Sequence, residues 1–273
     1  MKKIKTGFIG GGNMARSLIG GLLASGYPAN SITVSDRDPQ QLSGIRQDLQ
    51  VNTSDSNQAV VDASDVIVLA VKPQVMKEVI TALDASKVAG KLLVTIAAGI
   101  RTTAINHWLG GNYAVVRSMP NTPALVRSGA TGMYANAACS ETQREIAESI
   151  LRSVGLTLWV DEEDLLDAIT ALSGSGPAYL FLVMEAMEQA GIKLGLPADT
   201  ARLLAVQTAF GASKLALEIE EDPSVLRQRV TSPGGTTEQA IRVFEEKQLI
   251  TIFEQAMTAA RDRATELAEQ LGQ

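Results

Sequence analysis

The stretch that most constrains this chain lies near its N-terminus. Ile4 to Ile9 reads as a short apolar strand and runs directly into Gly10-Gly11-Gly12-Asn13-Met14-Ala15, after which Met14 to Ser25 carries helical spacing. A strand, a G-x-G-x-x-A turn and a helix in that order make the opening βα unit of a dinucleotide-binding sheet. Gly10 permits the tight turn, Gly12 lets the main chain approach a pyrophosphate, and the small Ala15 allows the helix to pack closely on the strand. The phosphates would lie at the helix N-terminus, where unpaired N–H groups and the dipole favour an anion. The competing reading is a glycine-rich βα turn without a ligand, and the rest of the N-terminal half argues against it.

From Ile4 to about Val160 short β-branched runs alternate with amphipathic stretches, the rhythm of a parallel sheet covered by helices. Strands are expected at Ile4 to Ile9, Ile32 to Ser35, weakly near Val51, then at Val66 to Val71, Leu92 to Ile96 and Ala114 to Arg117. Thr131 to Tyr134 and Leu156 to Val160 extend the sheet. After Asp161 the β-branched runs give way to segments rich in Ala, Leu, Glu and Gln with helical spacing. Helices are expected over Glu163 to Leu172, Pro177 to Leu194, Pro197 to Ile219, briefly after Pro223, then over Thr237 to Glu246 and Ile250 to Gln270. The expected architecture is α/β: a Rossmann-like doubly wound sheet over residues 1–161, then an all-α C-terminal domain over 162–273. The segment Pro177 to Leu194 carries Tyr179, Leu180, Phe181, Val183, Met184 and Met187, a wider apolar face than one core requires. Two readings fit it, a central helix buried in its own domain or a helix packed against another subunit.

Composition excludes several classes of function. The formal net charge of −6 offers no general attraction to nucleic acid or an anionic membrane, while leaving room for a local basic patch, so a small-molecule partner is the better expectation. Cys139 is the only cysteine, so an intrachain disulfide and a Cys-based zinc cluster are both ruled out, and no metal site is expected. The charged start of Met1 to Gly12 is followed by Gly and Asn before a signal-peptide core is reached, and it reads as a strand. No run approaches the roughly 20 apolar residues of a membrane span, so no membrane partner is expected and the cytoplasm is the default compartment.

Ser35-Asp36-Arg37 closes the second strand, where the cofactor's adenosine ribose would lie. Asp36 suits the 2′-hydroxyl of NAD and Arg37 suits the 2′-phosphate of NADP, so the residues leave that choice open. An alcohol or carbonyl substrate needs a positioned acid or base. The single histidine, His107, falls in a surface helix, and Cys139 precedes a helix without a catalytic context. The β-hydroxyacid dehydrogenases, with a G-x-G-x-x-x-K-x-x-x-N helix, are disfavoured because Leu180 and Met184 stand at the Lys and Asn positions after Gly174-Ser175-Gly176. A protonated imine is already electrophilic when hydride arrives, so the protein need only position it and hold any carboxylate. Ser232-Pro233-Gly234-Gly235-Thr236-Thr237 opens a helix and offers converging N–H groups and hydroxyls. The turn is either such an anion site or an ordinary helix start with Thr as cap and Glu238 in the first turn.

The Ser-Pro-Gly-Gly-Thr-Thr turn and the following Glu238 to Ile241 resemble the signature of the pyrroline-5-carboxylate reductase family. Phe8 to Met14, Ala70-Val71-Lys72-Pro73, Ala97-Ala98-Gly99, Met119-Pro120-Asn121-Thr122-Pro123 and Leu172 to Tyr179 agree with it in the same order. The resemblance implies reduction of 1-pyrroline-5-carboxylate to L-proline by NADPH, with NADH as the alternative cofactor. It places Ile9, Gly10, Gly11, Gly12, Asn13, Met14, Ser35, Asp36, Arg37, Asn57, Ala70, Val71, Lys72, Pro73, Ala97 and Asn121 at the dinucleotide. Ser232, Gly234, Gly235, Thr236 and Thr237 would hold the substrate, with Thr237 nearest the imine, and Glu163 and Glu220 would lie close by or serve as solvated helix-end charges. Arg229 stands where some relatives have an amide, so no substrate contact is carried over to it. The family's helical domain implies an intertwined homodimer with its site between chains, often built into a larger ring such as a decamer. Reduction of another cyclic imine acid, or dinucleotide binding without catalysis, are the competing functions.

Overall fold

The computed structural model describes residues 4–272, so the charged start Met1 to Lys3 lies outside the described residues. Eight strands form one sheet: β1 (Thr6–Ile9), β2 (Ile32–Ser35), β3 (Asn52–Ser54), β4 (Val66–Leu69), β5 (Leu92–Thr95), β6 (Ala114–Met119), β7 (Gly129–Ala135) and β8 (Gly155–Trp159). Between and after them run α1 (Asn13–Ala24), α2 (Pro39–Leu49), α3 (Asn57–Ala63), α4 (Pro73–Thr81), α5 (Ala85–Val88), α6 (Thr102–Leu109) and α7 (Glu141–Arg152). The C-terminal helices are α8 (Leu165–Ile169), α9 (Gly176–Lys193), α10 (Ala198–Glu218), α11 (Pro223–Arg229), α12 (Thr236–Glu246) and α13 (Leu249–Leu271).

The strand order β3-β2-β1-β4-β5-β6-β7-β8 is parallel except for the β6–β7 pair. β1 lies between β2 and β4, with Phe8 level with Val34 on one side and Val68 on the other. The order reverses there, which makes it the switch point where ligands of such sheets bind beyond the strand C-termini. Alternation along each strand builds two cores. Phe8, Val34, Val68, Val94 and Val116 meet Leu18, Ile19 and Leu22 of α1 and Ile150 and Leu151 of α7. Ile9, Ile67, Leu69, Leu93 and Val115 meet Val60 of α3, Met76 and Ile80 of α4, and Ile105 and Leu109 of α6. Because helices cover both faces, β1, β4 and β5 are buried along their whole length.

The doubly wound sheet followed by helices stands as the sequence implied. The differences lie at element ends. β4 stops at Leu69 because Lys72-Pro73 starts α4, with Pro73 tolerated in the first helical turn. By packing, the chain separates into Met1–Ser175 with Ala259–Gln273, and Gly176–Thr258, whereas the change in composition falls at 161/162. The reason is that α8 packs on the sheet: Gly132 of β7 lies so close to Ile169 that an added Cβ would sit 2.5 Å from its Cδ1. The helix expected over Glu163 to Leu172 is α8 followed by a π-helical stretch, Thr170–Gly174.

In the second unit α9 and α10 pair through small residues, with Gly191 against Ala201 and with Ala201 and Ala205 buried. Tyr179 of α9 meets Phe253 of α13 edge to face, the centroids 6.5 Å apart. No residue of α9 is buried, and Leu180, Phe181 and Leu182 are exposed, so the reading of α9 as a core helix within its own domain fails. The helical stretch Leu165–Lys193, taken as one, is also long and apolar enough to cross a membrane by length and composition. This departs from the expectation that no such stretch exists.

Candidate active site

The predicted dinucleotide bed belongs to the first unit. Gly10 has φ 101°, a conformation that favours glycine, and a Cβ there would lie 2.7 Å from the Ala70 carbonyl oxygen. Its N–H donates to the Ser35 carbonyl at 2.8 Å, tying the turn after β1 to the end of β2. Gly12 is the N-cap of α1, has no side-chain cap, and a Cβ added there would meet nothing within 4 Å. Open space therefore faces the free N–H groups of a 12-residue helix, a bed that fits a pyrophosphate. Asn13 is exposed and Met14 half-buried beside it, while Ile9 and Ala15 are buried as packing residues.

Asp36 is tied to the main chain through both carboxylate oxygens. Oδ2 accepts the Gly11 N–H at 2.7 Å and Oδ1 the Asp38 N–H at 2.9 Å. Buried Ser35 donates its hydroxyl to Asn57 Oδ1 at 2.8 Å, which fixes Asn57 at the start of α3. Arg37 is exposed and donates to Glu78 Oε1 of α4 at 2.5 Å. Ala70 and Val71 continue from β4 into exposed Lys72, the N-cap of α4, and Pro73. Ala97 is buried just beyond β5, its N–H bonded to the Thr95 hydroxyl. Asn121 is placed differently: buried, it donates to the Ser173 carbonyl at 3.0 Å and accepts the Ala130 N–H at 2.9 Å, so both ends of its amide hold the fold.

Glu163 is likewise in the first unit and is neither a solvated charge nor free. Its two oxygens accept the Thr102 N–H and hydroxyl, each at 2.8 Å, capping α6, and Arg117 approaches one of them at 3.5 Å. Arg117 of β6 pairs with Asp167 of α8, and Arg101 pairs with Asp164. The Arg101 bond to Asp164 holds that carboxyl below its usual range and raises the guanidinium. No sequence motif marked this cluster, because its members come from three separate segments.

The glycine turn belongs to the second unit. Gly234 has φ 73°, and Gly235 is the N-cap of α12 with no side-chain cap, so neither Thr takes that role. The Gly235 N–H closes the turn on the Ser232 carbonyl at 3.0 Å. Gly234 donates its N–H to Glu238 Oε2 at 2.7 Å, so the turn already receives a carboxylate oxygen. Thr237 is half-buried, while Ser232 and Thr236 are exposed. Glu220 is exposed, and its neighbour Glu221 pairs with Arg229 at 2.5 Å. His107 is exposed on α6, and burial pushes the Cys139 thiol up, away from the reactive thiolate. Among the described residues no group of acidic, His and Cys side chains is suited to a metal.

A doubly wound sheet with an open glycine turn at its switch point defines a dinucleotide-binding fold, and the following matches make it a pyridine-nucleotide oxidoreductase. Residues 5–99 match the family model described as NADP oxidoreductase, coenzyme F420-dependent, and residues 163–267 match the model for pyrroline-5-carboxylate reductase dimerisation. The chain is 51% identical over 273 residues to a pyrroline-5-carboxylate reductase of Pseudomonas aeruginosa, covering all of both chains. It is 36% identical to that of Escherichia coli K12, over 97% of this chain and 98% of the relative. The structure of a pyrroline-5-carboxylate reductase from Coxiella burnetii superposes with a TM-score of 0.93 at 47% identity, over 98% and 99% of the two chains. A Plasmodium falciparum pyrroline carboxylate reductase with NADP bound gives 0.87 at 27% identity over 98% and 99%. The chain belongs to the pyrroline-5-carboxylate reductase family.

Proposed function

We propose that this protein reduces 1-pyrroline-5-carboxylate to L-proline, with NADPH as the preferred cofactor and NADH as a second one, in the cytoplasm. The observation that carries the substrate side is the turn Ser232 to Thr237, whose Gly234 N–H already bonds a carboxylate oxygen of Glu238. A substrate carboxylate would take that kind of donor, while the half-buried Thr237 hydroxyl bonds the ring nitrogen. The bound dinucleotide supplies the hydride. A hydride delivered to the imine carbon would leave the C=N π electrons as the nitrogen lone pair, so a protonated imine would yield the amine without a further acid at that atom. The chain's own work is to bind, orient and exclude water. Gly10, Gly11, Gly12, Asn13 and Met14 cradle the phosphates. Ser35, Asp36, Arg37 and Asn57 hold the adenosine ribose end, and Ala70 to Pro73 with Ala97 complete the bed. Glu220 is the acidic group on the substrate side, and Glu163 and Asn121 keep the substrate and cofactor roles that the family resemblance implies, alongside their hydrogen bonds within the fold.

Exposed Leu203, Phe210 and Leu217 on α10, with the apolar residues of α9, support a homodimer through these helices, and the family resemblance extends this to a larger ring built from such dimers. The test of function is NADPH and NADH oxidation with pyrroline-5-carboxylate, its six-membered-ring homologue and no substrate. Turnover is expected with the five-membered ring. Turnover on the larger ring alone, or cofactor binding without turnover, would overturn the proposal.

A further inference from the structure

At the end of β2, Arg37 is the cation that would meet a 2′-phosphate, yet it already has an acidic partner. Its Nη2 lies 2.5 Å from Glu78 Oε1 on α4, with 70% of the Arg37 side chain and 65% of the Glu78 side chain exposed. Asp36, the neighbour of Arg37 in sequence, is anchored through both carboxylate oxygens to the main-chain N–H groups of Gly11 and Asp38. A dianionic 2′-phosphate arriving here meets a guanidinium already paired with the Glu78 carboxylate, with Asp36 next to it in sequence. A 2′-hydroxyl meets the same groups without a charge penalty, and Asp36 is a natural acceptor for it.

We propose that Glu78 is a cofactor-specificity residue: by holding the Arg37 guanidinium it competes with the 2′-phosphate, lowers the preference for NADPH and keeps NADH usable. This rests on the reading that Arg37 faces the cofactor's 2′ position. Glu78 belongs to no glycine motif and is 41 residues from its partner, so only the juxtaposition of α4 with the β2–α2 turn identifies it. Its effect is selective by construction. The competition acts on the phosphate that distinguishes the two cofactors and leaves the pyrophosphate bed at Gly10 to Met14 untouched. Glu78 also lies on the exposed side of α4, whose packing onto the sheet is through Met76, Val79 and Ile80, so replacing it should leave the fold intact.

The experiment is calorimetric titration of the full chain with NADPH, NADH, 2′,5′-ADP and 5′-AMP, for the unmodified protein, Glu78→Gln and Arg37→Leu, with a melting curve for each. Glu78→Gln is expected to bind NADPH and 2′,5′-ADP about 2- to 5-fold more tightly, the scale of one exposed ion pair, with NADH and 5′-AMP unchanged. Unchanged or weaker NADPH binding, or an equal gain for NADH, overturns the proposal. Arg37→Leu reports separately on the underlying reading: it should lower the NADPH-to-NADH affinity ratio, and an unchanged ratio would show that Arg37 does not meet the 2′-phosphate, whatever Glu78→Gln does.

Discussion

Arg117 of β6 and Asp167 of α8 form a buried ion pair, Nη2 to Oδ1 at 2.9 Å, with side chains 3% and 4% exposed. The second Asp167 oxygen accepts the Thr265 hydroxyl of α13 at 3.1 Å, and Arg101 approaches it at 3.7 Å. One carboxylate thus joins a strand, a short helix and the end of the last helix.

Asp167→Ala should therefore destabilise the protein by about 3 kcal/mol, since removing one partner strands a buried charge. Glu163 remains near Arg117, which keeps the loss at the lower end of that range. Urea unfolding monitored by circular dichroism measures it. A change below about 0.5 kcal/mol, the range of ordinary surface substitutions, would show that the pair contributes little.

Gly10→Ala should abolish dinucleotide binding. The φ of 101° strains any L side chain, and the new Cβ would lie 2.7 Å from the Ala70 carbonyl, so the turn must shift from the position that leaves the α1 N-terminus open. Titration with NADPH and NADH would show both affinities lost together. Retention of either at its original level would contradict the role of the turn.

Thr237→Ala should leave both cofactor affinities near their original values and lower kcat/KM about 10- to 100-fold, the effect of losing a hydrogen bond to a charged group. Steady-state assays beside cofactor titration separate the two effects. Equal loss of cofactor binding would remove Thr237 from the substrate side.

Leu203→Glu combined with Phe210→Glu places charge on two exposed apolar positions of α10, 68% and 59% exposed. Light scattering after size exclusion should shift from a dimer or a multiple of it to monomer, with helix content unchanged. An unaltered mass would move the subunit interface elsewhere.

The local devices were legible because each depends on neighbours in sequence. The glycine turn after β1, the Pro73 start of α4 and the alternating strands follow from backbone sterics and side-chain period, and residues 1–161 read accordingly as a sheet covered by helices. The turn at Ser232 to Thr237 was visible too, although its occupant was not: whether a Thr or Glu238 meets its N–H groups depends on rotamers within the folded turn. Asn121 and Glu163 read as site residues because their segments match a family, but their partners Ser173 and Thr102 lie 52 and 61 residues away.

By itself, then, the sequence determined the class of fold, the dinucleotide turn and the family. The tertiary structure decided which charges are free to meet a ligand. Asp36 is anchored by Gly11 and Asp38, Arg37 is held by Glu78, Glu163 caps α6, and α9 is left without a core of its own. Pairing of distant groups is set by how helices dock on the sheet, and a single chain's local preferences carry no record of those distances.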